Sequence, residues 1–241
     1  MIPRILHYCW FGTQPVSPTI KNCIASWKRH LPNFEIMLWN EQNSPMGHPF
    51  VQTAYKLEKY AFVSDYVRLW VIYKYGGVYL DTDMLLLKTL DPLLNEPFIG
   101  RQDNYSVNAS IMAFPSGHQF ILDAMSHYDK ISFEVEALNQ ITIPLILQKT
   151  LDQFGENAGR PRVFDRLFFY PYPFEARTKG DLNYWKYIKP ESYAVHLWDA
   201  SWIEGFQEEM KRAYTSKGRF LLCVISDYFY CWINKFKQLF Q

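Results

Sequence analysis

Asp81 and Asp83 stand two residues apart in the stretch YGGVYLDTD, at the end of the short apolar run Val78 to Leu80. If that run is a strand, its two-residue side-chain period sends both carboxylates to the same side. Their backbones then lie roughly 7 Å apart, and at an effective dielectric of about 20 their repulsion is on the order of 2 kcal/mol. A divalent cation relieves it. Hard cations such as Mg²⁺ and Mn²⁺ take oxygen ligands and sit between one or two carboxylates and phosphate oxygens, an arrangement that suits a diphosphate leaving group. An Asp-x-Asp pair by itself usually decorates a solvated loop. The Gly76-Gly77 turn and the apolar flanks argue for a buried strand here.

Two further groups have chemistry that fits such a site. Asp65 and Arg68 are three apart on a predicted helix, so they share one face. They either form a surface ion pair contributing only about 0.3 to 0.5 kcal/mol or point together into a site. Downstream, AVHLWDASW places His196, Asp199, Ser201 and Trp202 in one strand-to-loop passage. A lone histidine is more often structural than a ligand, and Trp198 and Trp202 more often pack than carry a sugar, so this cluster gains weight only beside the carboxylates. Cys9, Cys23, Cys223 and Cys231 lack CxxC spacing and read as reduced, buried thiols rather than a zinc or redox site.

Periodicity gives the elements that must position these groups. Arg4 to Phe11 reads as a strand ending at Gly12, and Ser17-Pro18 caps a helix that runs to about Leu31 with Ile20, Cys23, Ile24, Trp27 and Leu31 on one face. Phe34, Ile36 and Leu38 alternate as a second strand. Strand, helix, strand is the signature of a parallel sheet with crossover helices. After a polar loop from Glu41 to Pro49, helices are predicted near Val51 to Glu58 and Ala61 to Tyr75, the latter stopped by Gly76-Gly77. Strands follow at Val78 to Leu80, Met84 to Leu87, Phe98 to Gly100 and Ala109 to Phe114. Helices are expected from about His118 to Tyr128 and Leu138 to Phe154, with Pro144 in the first turn of the second or kinking it. Arg160 to Pro190 reads as irregular chain with short strands, and Tyr193 to Leu197 as a last strand.

A chain of 241 residues with 49% hydrophobic content buries one sizeable core, so a single α/β domain is expected. Its 25 basic and 24 acidic residues leave a net charge of +1, with no basic run dense enough for nucleic acid; an anionic ligand has to be held by a local site. The 18% aromatic content suits rings that stack on bases and sugars as well as rings that fill a core.

YAFVSDYVRLWVIYKYGGVYLDTD, spanning Tyr60 to Asp83, resembles glycosyltransferase family 32, the DXD-motif sugar transferases that include bacterial capsular polysaccharide enzymes and yeast mannosyltransferases. IPRILHYCWFG at the start, Ser26-Trp27, NASIMAFPSGHQF from Asn108 and HLWDASW resemble the family in the same order, over roughly residues 1 to 203. The resemblance implies a GT-A fold: an α/β nucleotide-binding sandwich with a central mixed, mainly parallel sheet flanked by helices. It also implies Mn²⁺ or Mg²⁺, a nucleotide-sugar donor such as a UDP- or GDP-sugar, a glycan or lipid-linked acceptor in surface polysaccharide synthesis, and retention of anomeric configuration. On this chain it makes Asp83 the direct metal ligand and Asp81 a ribose or water-mediated metal contact. It gives Asp65 and Arg68 to the donor sugar and phosphate, and Asn108 to a polar position near the sugar. Trp10 would stack on the base, with Tyr8 to Phe11 lining its pocket. His196 and Ser201 take the place of late metal or diphosphate ligands, and Trp202 stands beside the leaving group. Leu197-Trp198-Asp199 departs from the small or aromatic residues expected after the histidine.

Two other readings compete. LDTDM after an apolar strand superficially resembles the aspartyl nucleophile of haloacid dehalogenase-type phosphatases, but Leu85 stands where a small Thr or Val is expected and no later Gly-Asp motif appears. A carbohydrate-binding module without catalysis is the second. Residues 1–215 are expected to form the transferase domain and residues 216–241 an amphipathic helix. That helix either packs on the domain or lies in a membrane interface, with Phe229, Trp232, Ile233 and Phe236 on one face. The N-terminal stretch carries no signal-peptide pattern, so a cytoplasmic location is expected, peripheral on the membrane if the helix inserts.

Overall fold

The computed structural model describes residues 1–199 apart from 104, 132, 134–137, 139, 157 and 158. Ser201, Trp202 and the expected helix at 216–241 lie outside the described residues. The chain opens with β1 (Ile5–Cys9), α1 (Pro18–His30) and β2 (Glu35–Trp39), and β1 pairs parallel with β2, so the expected βαβ unit is present. Ser17 caps α1 by accepting from the Ile20 N–H at 3.2 Å. Next come α2 (Pro49–Lys56), α3 (Tyr60–Tyr75), β3 (Gly77–Leu80), β4 (Met84–Leu86), β5 (Phe98–Arg101), β6 (Val107–Phe114) and α4 (Gln119–Tyr128). The chain continues through α5 (Ile143–Phe154), β7 (Arg162–Phe164), α6 (Arg166–Phe169), α7 (Phe174–Thr178), a 3-10 turn (Tyr184–Tyr187) and β8 (Ala194–His196).

The main sheet has the order β2-β1-β3-β6-β5-β7. Pairings β1–β2, β1–β3 and β5–β7 are parallel, while β6 runs antiparallel to both β3 and β5. This is the expected mixed, mainly parallel α/β sheet with helices on both faces. Two departures stand out. The helix expected from Leu138 begins at Ile143, where Pro144 falls in the first turn and its missing N–H costs nothing. Between Arg160 and Pro190 the chain is irregular as expected, but a single short strand joins the main sheet and three short helical turns stand where further strands were expected.

Alternation along the central strands divides the core. Val78 and Leu80 of β3, with Ile111 and Ala113 of β6, pack with Cys23, Trp27 and Leu31 of α1. Tyr79, Met112 and Phe114 face the other way, onto Val63, Val67 and Val71 of α3 and onto α4 and α5. Gly76 and Gly77 make the junction. Gly76, at φ +66°, ends α3, and a Cβ on Gly77, at φ +107°, would sit 2.5 Å from the Ile5 carbonyl oxygen. A buried His7 secures this corner. Trp39 donates its indole N–H to His7 Nδ1 at 3.0 Å, which leaves Nε2–H to donate to the Gly76 carbonyl at 2.8 Å. Burial pushes His7 down to about 4, so the ring is neutral.

Candidate metal and donor site

The acid pair does not lie within a strand. β3 stops at Leu80, and Asp81-Thr82-Asp83 form a turn closed by the Met84 N–H on the Asp81 carbonyl at 3.0 Å. Strand parity therefore carries only Asp81. It continues the side of Tyr79, toward α3, and its N–H still bonds the Ser110 carbonyl of β6 at 2.8 Å. Asp83, past the turn, faces β8 instead. β4 and β8 form a two-stranded antiparallel sheet in which Met84 stands opposite His196. Turn and second sheet together bring one ligand atom from each of Asp81, Asp83 and His196 to within 4.8 Å of one another.

Each carboxylate has its own support. Arg68 reaches Asp81 through Nη1 at 3.1 Å and Asp65 through Nη2 at 3.1 Å. It also donates to the carbonyls of Ala109 at 3.1 Å and Ser64 at 3.2 Å. Arg68 is 5% exposed and Asp65 7% exposed, so the surface ion pair allowed by the sequence is excluded. The guanidinium carbon lies 4.7 Å over the Tyr79 ring, and the Tyr79 hydroxyl donates to Asp81 at 3.0 Å. Burial pushes the Asp65 carboxyl up to about 7, against the opposing pull of Arg68. Asp83 is held differently. His196 Nε2 lies 3.1 Å from Oδ1, and the Asp199 N–H donates to Oδ2 at 2.9 Å. Burial alone would raise Asp83, but His196 and the Asp199 N–H outweigh it and keep the carboxyl below the ordinary range.

These residues fit a hard divalent cation. Ligands at about 2.1 Å in octahedral geometry stand about 3.0 Å apart when adjacent and about 4.2 Å when opposite. Asp83 and His196, at 3.1 Å, already have the spacing of adjacent ligands. The two carboxylates are donors that suit Mn²⁺ or Mg²⁺, and the imidazole adds a softer nitrogen ligand of the kind transition-metal dications accept.

Of the other expected site residues, Tyr8, Trp10 and Asn108 are among the described residues. Tyr8 packs edge-on against Trp27 at 5.3 Å between ring centroids, and the Trp27 indole donates to the Met84 carbonyl at 2.7 Å. Ser26 beside it accepts the Leu86 N–H at 3.0 Å, so Ser26-Trp27 ties α1 to the strand that follows the acid pair. Trp10 continues past the end of β1, with its indole donating to the Gln14 carbonyl at 3.0 Å. Asn108 accepts from both the N–H and hydroxyl of Ser110 at 2.7 Å and donates to Gln102 at 2.5 Å. Sequence reasoning missed Tyr79, although its place two residues before Asp81 on a strand gave the signal. It also missed His7, Trp27 as a donor, and the backbone of Trp198. Trp198 adopts φ +53°. For a bulky residue this left-handed conformation costs on the order of 1–3 kcal/mol.

With this acid pair at the end of a central strand of an α/β sandwich, the chain is similar to known glycosyltransferases. Residues 17–99 match the family model described as a glycosyltransferase sugar-binding region containing DXD motif. Inositol phosphoceramide mannosyltransferase 3 of Schizosaccharomyces pombe is 31% identical over 141 residues, covering 55% of this chain and 38% of its own. Lactosylceramide 4-alpha-galactosyltransferase of Rattus norvegicus is 27% identical over 203 residues, covering 73% of this chain and 55% of its own. The chain thus spans about half the length of these curated relatives or less. Among solved structures, the PaToxG glycosyltransferase shares the fold at a TM-score of 0.51 and 16% identity, over 89% of this chain and 85% of its own.

Proposed function

We propose that this chain is a metal-dependent, retaining glycosyltransferase that moves a hexose from a nucleotide diphosphate sugar to a hydroxyl of a lipid-linked glycan. The convergence of Asp81, Asp83 and His196 carries the reading. These three residues would hold Mn²⁺ or Mg²⁺, with Ser201 a further candidate from the sequence. The cation, when bound, supplies positive charge where the diphosphate leaves, a large catalytic contribution in a preorganised site. Arg68 acts chiefly by fixing Asp81 and neutralising Asp65, since its nitrogens are already engaged by protein acceptors. Tyr8 and Trp10, at the end of β1, are the candidates for the base and Asn108 for the sugar, and the sequence offers Trp202 for the leaving group.

Both relatives are named for sphingolipid substrates, which favours a glycolipid acceptor over a capsular polysaccharide. Among the described residues no helix is long and apolar enough to cross a membrane. An interfacial helix at 216–241 would bring a cytoplasmic enzyme to such an acceptor, and unchanged membrane partitioning after its deletion would remove that element.

The test is a panel of UDP- and GDP-sugars with Mn²⁺, read as donor hydrolysis, transfer to glycolipid or soluble glycan, and protection against thermal unfolding. A donor at 100 times its Kd adds about 2.7 kcal/mol to stability. The unsubstituted chain should need Mn²⁺ for turnover and lose it to EDTA, and Asp83→Asn should abolish metal-stimulated turnover. A folded Asp83→Asn protein with an unchanged rate refutes the assignment. Phosphatase activity without a sugar-nucleotide requirement would favour the dehalogenase-type alternative.

A further inference from the structure

We infer that Trp198 is a positioning residue for the cation site, acting through the backbone that follows it. The inference rests on the cation reading above. Asp83 is pinned by two backbone contacts from one short segment: the Leu197 N–H donates to the Asp83 carbonyl at 3.0 Å, and the Asp199 N–H donates to carboxylate Oδ2 at 2.9 Å. Consecutive residues of an extended strand point their N–H groups to opposite sides, and those two apart return to the same side only after a strand's repeat of roughly 7 Å. Here both reach the main chain and side chain of one residue, and the intervening Trp198 is left-handed at φ +53°. The turn at Trp198 folds the Asp199 N–H back onto Asp83.

A glycine would adopt this backbone without strain. The chain uses tryptophan, and its side chain is the anchor. The indole N–H donates to the Tyr172 carbonyl at 2.8 Å, and the ring meets Phe174 with centroids at 5.4 Å and His196 at 3.9 Å. One residue thus braces the imidazole and fixes the peptide that engages Asp83 Oδ2. Oδ1 is left facing His196 Nε2, at 3.1 Å. Groups that orient a metal ligand from outside typically govern affinity by about 10- to 100-fold.

The experiment measures Mn²⁺ affinity of the full chain by titration calorimetry, with circular dichroism and thermal melts as the control for folding. Trp198→Phe keeps a ring but lacks the indole donor; Trp198→Gly removes the strain and the anchor together. Both should keep the far-ultraviolet spectrum and bind Mn²⁺ more weakly, by about tenfold or more for the glycine variant. Donor turnover should fall at limiting Mn²⁺ and recover at saturating Mn²⁺, a split that general loosening of the fold does not produce. Wild-type Mn²⁺ affinity in a folded Trp198→Gly protein overturns the inference; if that variant does not fold, undiminished affinity in Trp198→Phe does so. Mn²⁺ binding that is present in the unsubstituted chain and lost in Asp83→Asn keeps the cation reading standing in either case. Absence of Mn²⁺ binding in the unsubstituted chain removes both.

Discussion

Arg68→Met takes the only cation from between Asp65 and Asp81 among the contacts described for these two carboxylates. Removing one partner of a buried ion pair typically costs about 3–5 kcal/mol, because a charge is left uncompensated in low dielectric. The Asp81 side chain is 24% exposed and can regain water, whereas that of Asp65 is 10% exposed. The loss should therefore fall near the lower end, about 3 kcal/mol at pH 8. It should depend on pH. Asp65 is already raised to about 7 by burial, from an ordinary value of 3.8, and without the Arg68 charge it rises further. A carboxyl raised in the native state contributes stability that is complete below its unfolded value and is lost as pH rises through its native value. At pH 5.5 the variant therefore holds Asp65 protonated and neutral, and the deficit relative to the unsubstituted chain should shrink. Urea unfolding followed by tryptophan fluorescence at both pH values measures it. A deficit below about 1 kcal/mol at pH 8, or one equal at the two pH values, would show that Arg68 is not neutralising a buried carboxylate.

His7 gives the opposite slope: its native value of about 4 lies below the ordinary 6.5, so the unfolded chain binds the proton first and stability declines as pH falls from about 6.5 to 4. The decline should reach about 3 kcal/mol at 1.36 kcal/mol per unit, and urea midpoints against pH should lose this component in His7→Gln. Gly77→Ala must place a Cβ 2.5 Å from the Ile5 carbonyl oxygen at φ +107°, so it should cost roughly 2 kcal/mol or more and lower Tm by several degrees. An unchanged melting curve would contradict the close approach of β1 and β3.

Periodicity made the strands and helices around the acid pair legible because each buries one face against the sheet. The order β2-β1-β3-β6-β5-β7 was not legible, since the pairing of β7 with β5 joins residues more than sixty apart. Strand parity placed Asp81 on the α3 side, but it failed for Asp83, which owes its direction to a turn and to pairing with β8. Asp65 and Arg68 shared a helix face as spacing required, yet whether that face was wet or buried depended on β6 lying beneath it, as the Ala109 carbonyl on Arg68 shows. His196 stood out by residue type in its strand-to-loop passage, but its role as a ligand came only through resemblance, because nothing near it in sequence reveals a carboxylate 113 residues away.

That separation has a consequence for how the molecule comes into being. The Arg68 and Asp81 half of the site is 13 residues wide and can form with α3 and β3, early and from local chain. The half that brings His196 to Asp83 closes a loop of more than a hundred residues, and such pairings come late because the entropy of closure precedes the reward. As domains emerge from the ribosome N-terminus first, most of this sheet can assemble before residue 196 has been synthesised. The fold is thereby a timer, withholding a complete ligand set until nearly all of the described chain has been made.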